Sequence, residues 1–198
     1  MGKTKREGGK SAASSISPLL EPLIALQRLL EHFDNQGLII GGIAASLLGK
    51  PRFTADIDAV ILLSVDDLPK LIDAASQQDI TPRIADAEIF AQKNRVLLLR
   101  HQTSGINIDI SLGILPFEIE MIERSQEIKV GGLHLRLPTP EDLIILKAVA
   151  HRPQDLIDIQ GIAASNPDLD KERVRFWVEQ FGAALGLPDL WEQASRLL

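Results

Sequence analysis

Two neighbouring stretches, Leu38-Ile39-Ile40-Gly41-Gly42-Ile43-Ala44-Ala45 and Arg52-Phe53-Thr54-Ala55-Asp56-Ile57-Asp58-Ala59-Val60, decide how the chain reads. A short apolar strand runs into a pair of glycines, a helix of small residues follows, and two aspartates then open a second apolar strand. Side chains at i and i+2 of a strand share a face, so Asp56 and Asp58 point the same way. Two carboxylates brought close repel by about 4 kcal/mol at an effective dielectric near 20. An oxygen-preferring divalent cation, most naturally magnesium, relieves that repulsion. Gly41 and Gly42 place unencumbered backbone N–H groups at a helix start, a ready site for phosphate.

A third carboxylate lies further on. In Ile106-Asn107-Ile108-Asp109-Ile110-Ser111 the isoleucines alternate with Asn107, Asp109 and Ser111, which sets Asp109 on the polar face of a strand. If this strand neighbours the one carrying Asp56 and Asp58, the three carboxylates share one cleft. Such a triad suits two-metal catalysis of an in-line displacement. Asp109 is then also placed to take the proton of an incoming hydroxyl. Taken singly, each signal has a plain alternative: solvated carboxylates at a turn for Asp56 and Asp58, an ordinary polar-face residue for Asp109.

Around these residues the periodicities give a mixed α+β plan: a small mixed β-sheet core flanked by helices, then a C-terminal helical region. A helix is expected over about 18–33, with Ser17 as N-cap and Pro18 at its first position. Strands follow at 38–40 and 57–63, with a short helix over 42–48 between them and another helix over 65–75. A polar helix or loop is expected over 83–92. Strands at 95–101 and 106–112 pair across Thr103-Ser104-Gly105. A short helix over 117–122 precedes a hairpin at 126–130 and 133–137 that turns on Gly131-Gly132. Thr139 caps a helix running from Pro140 to about Ala150, and Pro153 opens the next. Helices near 171–181 and 188–198 end the chain, with Trp177 and Trp191 in their core. The organisation expected is a disordered tail over 1–16, a core over 17–138 and helices over 139–198.

Composition narrows the class. Of the 198 residues 45% are hydrophobic and 24% charged, the balance of a soluble globular protein with a sizeable core. Without cysteine there is neither a disulfide nor a thiolate site. No apolar run approaches the ~18 residues of a membrane span. The N-terminal segment lacks a signal-peptide core, so a cytoplasmic location is expected. The net charge of -6 argues against a uniformly basic nucleic-acid surface but not against a local basic cleft. His32, His101, His134 and His151 form no metal-ligand spacing and carry no assigned role.

Gly41-Gly42, then Asp56-Ile57-Asp58, then Asp109 on a later strand resembles the nucleotidyltransferase superfamily of the DNA polymerase beta type. Arg52-x-Thr54-x-Asp56-Ile57-Asp58, with the later Pro140-Glu141-Asp142-Leu143, Lys147, Arg152, Asp155 and Asp158, is similar to AbiEii-type and related minimal bacterial nucleotidyltransferases. The resemblance spans about residues 38–160. It implies that Asp56 and Asp58 bind metal and that Asp109 completes the metal site or activates the acceptor hydroxyl. It further implies that Gly41 and Gly42 hold the nucleotide phosphates and that Lys147 contacts phosphate. Many members carry Gly-Ser where this chain has Gly41-Gly42. The expected cofactor is Mg2+, two ions, and the expected donor a nucleoside triphosphate. The acceptor is an RNA such as a tRNA, a protein side chain or a small molecule. A toxin role with an antitoxin partner follows from the AbiEii likeness alone.

Several side chains keep two readings. Lys147 is either a phosphate contact or a lysine snorkelling from the edge of an apolar helix face. Arg52 reaches phosphate or pairs with an aspartate of its own loop, while Thr54 orients that loop. Asp155, in the first turn of a helix, reads as a cap or ion-pair partner. Two rival functions stand beside the enzyme. One is an inactive nucleotidyltransferase-like interaction module, against which the retention of all three aspartates counts. The other is a sugar-nucleotide transferase using Asp56-Ile57-Asp58, which calls for a larger doubly wound sheet.

Overall fold

A computed structural model describes residues 19–198. The expected tail and the Ser17–Pro18 helix start lie outside the described residues. The first helix, α1 (Leu20–His32), buries Leu23, Leu26, Leu29 and Leu30 at helical spacing. β1 (Gly37–Ile40) leads directly into α2 (Gly41–Leu48) and then β2 (Asp56–Leu62). A 3-10 turn (Val65–Asp67) precedes α3 (Leu68–Ser76), where one continuous helix is expected from sequence. The Ser64 hydroxyl accepts from Asp66 N at 3.2 Å and tightens that first turn.

β3 (Ile80–Pro82) follows, a strand the sequence pattern does not announce, and then α4 (Ala87–Asn94), β4 (Val96–His101) and β5 (Asn107–Gly113). Three residues are too few for an alternation to register. Pro82 is tolerated because β3 is an edge strand with a single partner. α5 (Pro116–Glu123) and the hairpin β6 (Gln126–Val130) and β7 (Leu133–Leu137) complete the core. Gly131 and Gly132 take φ of +58° and +83°, the left-handed pair that a two-residue hairpin turn demands.

The main sheet has five strands in the order β1-β2-β5-β4-β3. β2 and β5 are parallel, and every other pair is antiparallel. The sheet is two-faced. Ile57, Ala59 and Ile61 of β2, Ile108 and Ile110 of β5, and Leu97 and Leu99 of β4 are wholly buried. Strand register sets them on the face opposite Asp58 and Asp109. Each such buried aliphatic contributes about 1.5–3 kcal/mol relative to exposure. A one-residue slip would turn this entire set outward, so the core fixes the register that aligns the aspartates.

The helical region comprises α6 (Pro140–Ala150), α7 (Pro153–Ser165), α8 (Lys171–Leu185) and α9 (Leu190–Ser195). The last is shorter than the sequence pattern suggests. Thr139 caps α6, its hydroxyl accepting from Asp142 N at 3.2 Å. His151, left-handed at φ +51°, ends α6, and Pro153 starts α7. Both helices pack against α2. α8 is fastened to the core by Arg173, whose Nε meets the fully buried Asp142 at 2.8 Å and whose Nη1 meets Glu120 of α5 at 2.8 Å. Trp177 and Trp191 pack at the edge of the core, Trp177 stacking edge-on against the buried Phe117 with centroids 5.2 Å apart.

Among the described residues, Asp142 Oδ2 and Arg173 Nη2 are the buried side-chain atoms without a hydrogen-bond partner. Arg124 Nε stands 3.5 Å from Asp142 Oδ2 and eases its charge from the rim. Removing one partner of a buried ion pair strands the other. Arg173→Met is therefore expected to cost roughly 3 kcal/mol in urea denaturation. Adding Asp142→Asn should recover part of the loss, because the stranded charge goes with it.

Candidate active site

β1 is extended up to Ile40, and the chain turns into α2 at Gly41 with φ +64°, a conformation that disfavours any Cβ. Space forbids one as well: a Cβ at Gly41 would lie 1.9 Å from Asp58 Oδ2. The bare backbone of the turn thus presses against the carboxylate of β2. Gly42 faces the loop before β2, where a Cβ would lie 2.6 Å from Thr54 Oγ1 and 3.1 Å from Arg52 Nη2. No side chain caps α2, which leaves its first-turn N–H groups to be satisfied by water or an anion. Ser46 ties loop to helix: its hydroxyl lies 2.9 Å from Gly42 O and 3.0 Å from Arg52 O.

The three aspartates share one face. Asp58 stands opposite Asp109 in the parallel β2–β5 register, and Asp56 is opposite Asn107 at the head of the strand. Adjacent strands lie about 4.8 Å apart, so the Asp58 and Asp109 side chains rise as neighbours. Thr54 Oγ1 donates to Asp56 Oδ1 at 3.1 Å and fixes the exposed member. Burial, then the charges of Asp56 and Asp109, push the half-buried Asp58 carboxyl above its usual 3.8, while Arg152 and Lys147 pull the other way.

Arg83, just past β3, crosses β4 to pair with Asp109 through both guanidinium nitrogens, Nη2 at 3.1 Å from Oδ2. Its Nη1 is also 3.3 Å from Leu99 O. Sequence reading passes over Arg83, because nothing local marks an arginine beyond a three-residue strand as facing β5.

Lys147 and Arg52 are drawn into one buried ionic cluster. Lys147, 4% exposed, has its Nζ 3.0 Å from Asp155 and 2.6 Å from Asp158. Arg52 grips Asp158 in a fork of 2.8 and 2.9 Å, so its aspartate comes from α7 rather than from its own loop. Asp155 accepts from Arg152 N at 3.2 Å and Arg152 Nε at 2.7 Å, the cap and ion pair expected of it. Burial alone raises the Asp155 and Asp158 carboxyls, yet hydrogen bonds from Arg152, Arg52 and Lys147 outweigh it and hold both below the usual range. The Arg152 side chain is 73% exposed, and its charge reaches Asp58 and Asp56.

The donor set is all carboxylate oxygen on one face, which fits a hard divalent cation such as Mg2+. Burial, and after it the charges of Asp56 and Asp109, raise the Asp58 carboxyl, and a cation bound there would offset both. Among the described residues, no three acidic or imidazole side chains are gathered into a ready-made ligand shell. At this site Asp109 is engaged by Arg83. A well-formed cleft of 340 Å³, lined by Gln27, Glu31, His134 and Arg136 among others, lies at the other end of β1 and contains none of the aspartates.

Residues 20–177 match the family described as "Nucleotidyltransferase of unknown function (DUF6036)". The chain belongs to that family. No curated protein matches the sequence. A solved structure, "Crystal structure of an antigenic nucleotidyltransferase-like protein from Paracoccidioides brasiliensis", is similar over 90% of this chain and 93% of its own, at 16% identity and a TM-score of 0.50. That likeness is one of fold. Family and fold together make this a protein of the nucleotidyltransferase kind. Among the described residues no helix is long and apolar enough to cross a membrane.

Two outcomes test the geometry. Folded Asp58 holds its proton more tightly than the unfolded chain, so its charge costs stability increasingly as pH rises from 3.8 through its raised native value. In metal-free urea denaturation, Asp58→Asn should match or exceed the wild type near neutral pH, with the difference shrinking as pH falls toward 3.8. A variant clearly less stable at neutral pH would make the carboxylate a structural anchor. Gly41 and Gly105 are both left-handed, but a Cβ at Gly105 meets open space. Gly105→Ala should therefore cost about 1 kcal/mol and Gly41→Ala distinctly more, the excess measuring the contact with Asp58.

Proposed function

We propose that the protein is a magnesium-dependent nucleotidyltransferase that moves a nucleoside monophosphate from a nucleoside triphosphate to a hydroxyl acceptor. The observation that carries this reading is the register of Asp58 against Asp109, with Asp56 on the same face and Gly41 pressed on Asp58. Asp56 and Asp58, joined by Asp109, are the residues that would hold Mg2+, two ions in all. A metal held there would supply neutralisation of the charge on the attacking and leaving oxygens.

The chain's own residues do the rest. Gly41 and Gly42 offer first-turn N–H groups to the phosphates. Thr54 and Arg52 hold the loop over Gly42 in place, and Arg152 offers an exposed cation near Asp56 and Asp58. Lys147, buried and paired with Asp155 and Asp158, holds the two aspartates that position Arg152 and Arg52 rather than touching phosphate itself. Asp109 accepts the proton of the acceptor hydroxyl. The acceptor oxygen bonds to the α-phosphorus, and the bond to the bridging oxygen breaks to release pyrophosphate. The connected cluster of Lys147, Arg152, Asp155 and Asp158 supports the AbiEii-type assignment, because it joins the residues of that motif in one contact network. A toxin role and an antitoxin partner have that likeness as their support.

One observation favours the inactive interaction module: Arg83 engages Asp109. The two readings separate on incubating the protein with Mg2+, each α-labelled triphosphate and a cell extract, then digesting with ribonuclease or protease to class the product as RNA, protein or small molecule. The expected outcome is label transferred by the wild type and lost, by at least about a hundredfold, in a folded Asp58→Asn variant. Triphosphate binding without transfer to any acceptor would sink the enzyme and leave the module.

A further inference from the structure

Phe53 sits between two residues that are fully engaged. On one side Arg52 forks onto Asp158 at 2.8 and 2.9 Å, and its remaining nitrogen, Nη1, donates to Phe53 O at 3.2 Å. On the other side Thr54 is 9% exposed and bonded to Asp56. The backbone of Phe53 is thus held from both directions, while the residue itself is 76% exposed, the most of any large hydrophobic among the described residues. Scattered exposed apolar residues are ordinary. This one differs in being rigidly presented, three positions from Asp56, on the loop that closes over Gly42.

The chain holds 6 Phe, 2 Trp and no Tyr, so aromatic rings are scarce and one is held in water on the loop that leads into Asp56. Arg52 and Thr54 occupy the inward directions of the loop, and Phe53 is left facing solvent with a free π-face. The loop that carries Phe53 lies against Gly42 at an uncapped helix start, so an aromatic face and free backbone N–H groups on adjoining segments would suit the two halves of a nucleotide: ring on ring, phosphate on backbone.

We propose that Phe53 is the stacking platform for the nucleobase of the donor nucleotide. Stacking on a single face tolerates any base, so the subsite recognises a nucleotide as a class without selecting among the four. The inference rests on the nucleotidyltransferase reading above, and its test is chosen so that the two fail differently.

Calorimetry with Mg2+ compares two probes, an α,β-methylene nucleoside triphosphate and inorganic tripolyphosphate, which lacks a base. Phe53→Ala should weaken the nucleotide about tenfold and leave tripolyphosphate unchanged. Phe53→Trp should retain the affinity, and Phe53→Leu, apolar but without a π-face, should not. The melting temperature should stay that of the wild type, since the ring packs on little. Wild-type nucleotide affinity in Phe53→Ala overturns the proposal, and so does a parallel loss for tripolyphosphate or a lowered melting temperature. With a short oligonucleotide titrated as a third probe, a loss confined to it would move the ring to the acceptor and overturn the donor assignment. If the wild type binds neither probe, the nucleotidyltransferase reading itself falls.

Discussion

Like charge held together on one sheet face is the constraint around which the structure is arranged. Asp56, Asp58 and Asp109 are brought together by the parallel pairing of β2 and β5, and that pairing is locked by the buried isoleucines of the opposite face. Slipping the register would separate the carboxylates but expose the core. Hydrophobic burial, worth about 1.5–3 kcal/mol per side chain over many residues, outweighs the cost of setting carboxylates on neighbouring strands. Relief comes from cations arriving from three other elements: Arg83 beyond β3, and Lys147 and Arg152 at the end of α6 and the start of α7. Two of them serve Asp58 at a distance, and one meets Asp109 directly.

The helical region therefore belongs to the site. Because His151 adopts a left-handed conformation and Pro153 begins the next helix at once, the last turn of α6 faces the first turns of α7. Asp155 and Asp158, three apart on one helix face, converge on Lys147 from that side. Asp158 then reaches Arg52 of the loop over Gly42. From α6 to Arg52 the path is a continuous set of charged pairs, stronger than neutral hydrogen bonds and costly to break where buried, and the Ser46 hydroxyl carries it on to Gly42. Arg52 is kept from wandering by α7, and with it the loop that carries Phe53.

Much of this is legible in the sequence. The glycine turn, the Asp56 strand, the hairpin over 126–137 and α6 with its Thr139 cap all carry strong local signals, and the structure has them there. What local pattern misses is tertiary. β3 is too short to alternate, and Arg83 matters only because β4 separates β3 from β5 in the sheet order. Lys147 lies in an apolar helix, where sequence leaves open a phosphate contact or a snorkelling lysine and does not anticipate its burial. Two aspartates from the next helix decide it by supplying the counter-charge that makes burial tolerable. The partner of Arg52 likewise lies 106 positions away, beyond any reading of its own loop.

Lys147 and Arg152 show how one cluster divides its labour. Lys147 is neutralised by two carboxylates at 3.0 and 2.6 Å, so its field at Asp58 is that of a compensated charge. Arg152 shares only Asp155 and keeps most of its surface in water. A solvated guanidinium is free to turn toward an arriving phosphate, whereas moving Lys147 would strand Asp155 and Asp158 in a buried setting. In the proposed reaction the direct contact with an anion thus falls to the arginine. The lysine's part is to hold the two aspartates that aim Arg52 and Arg152, and the loop against the glycine turn rests on a frame set by that buried charge.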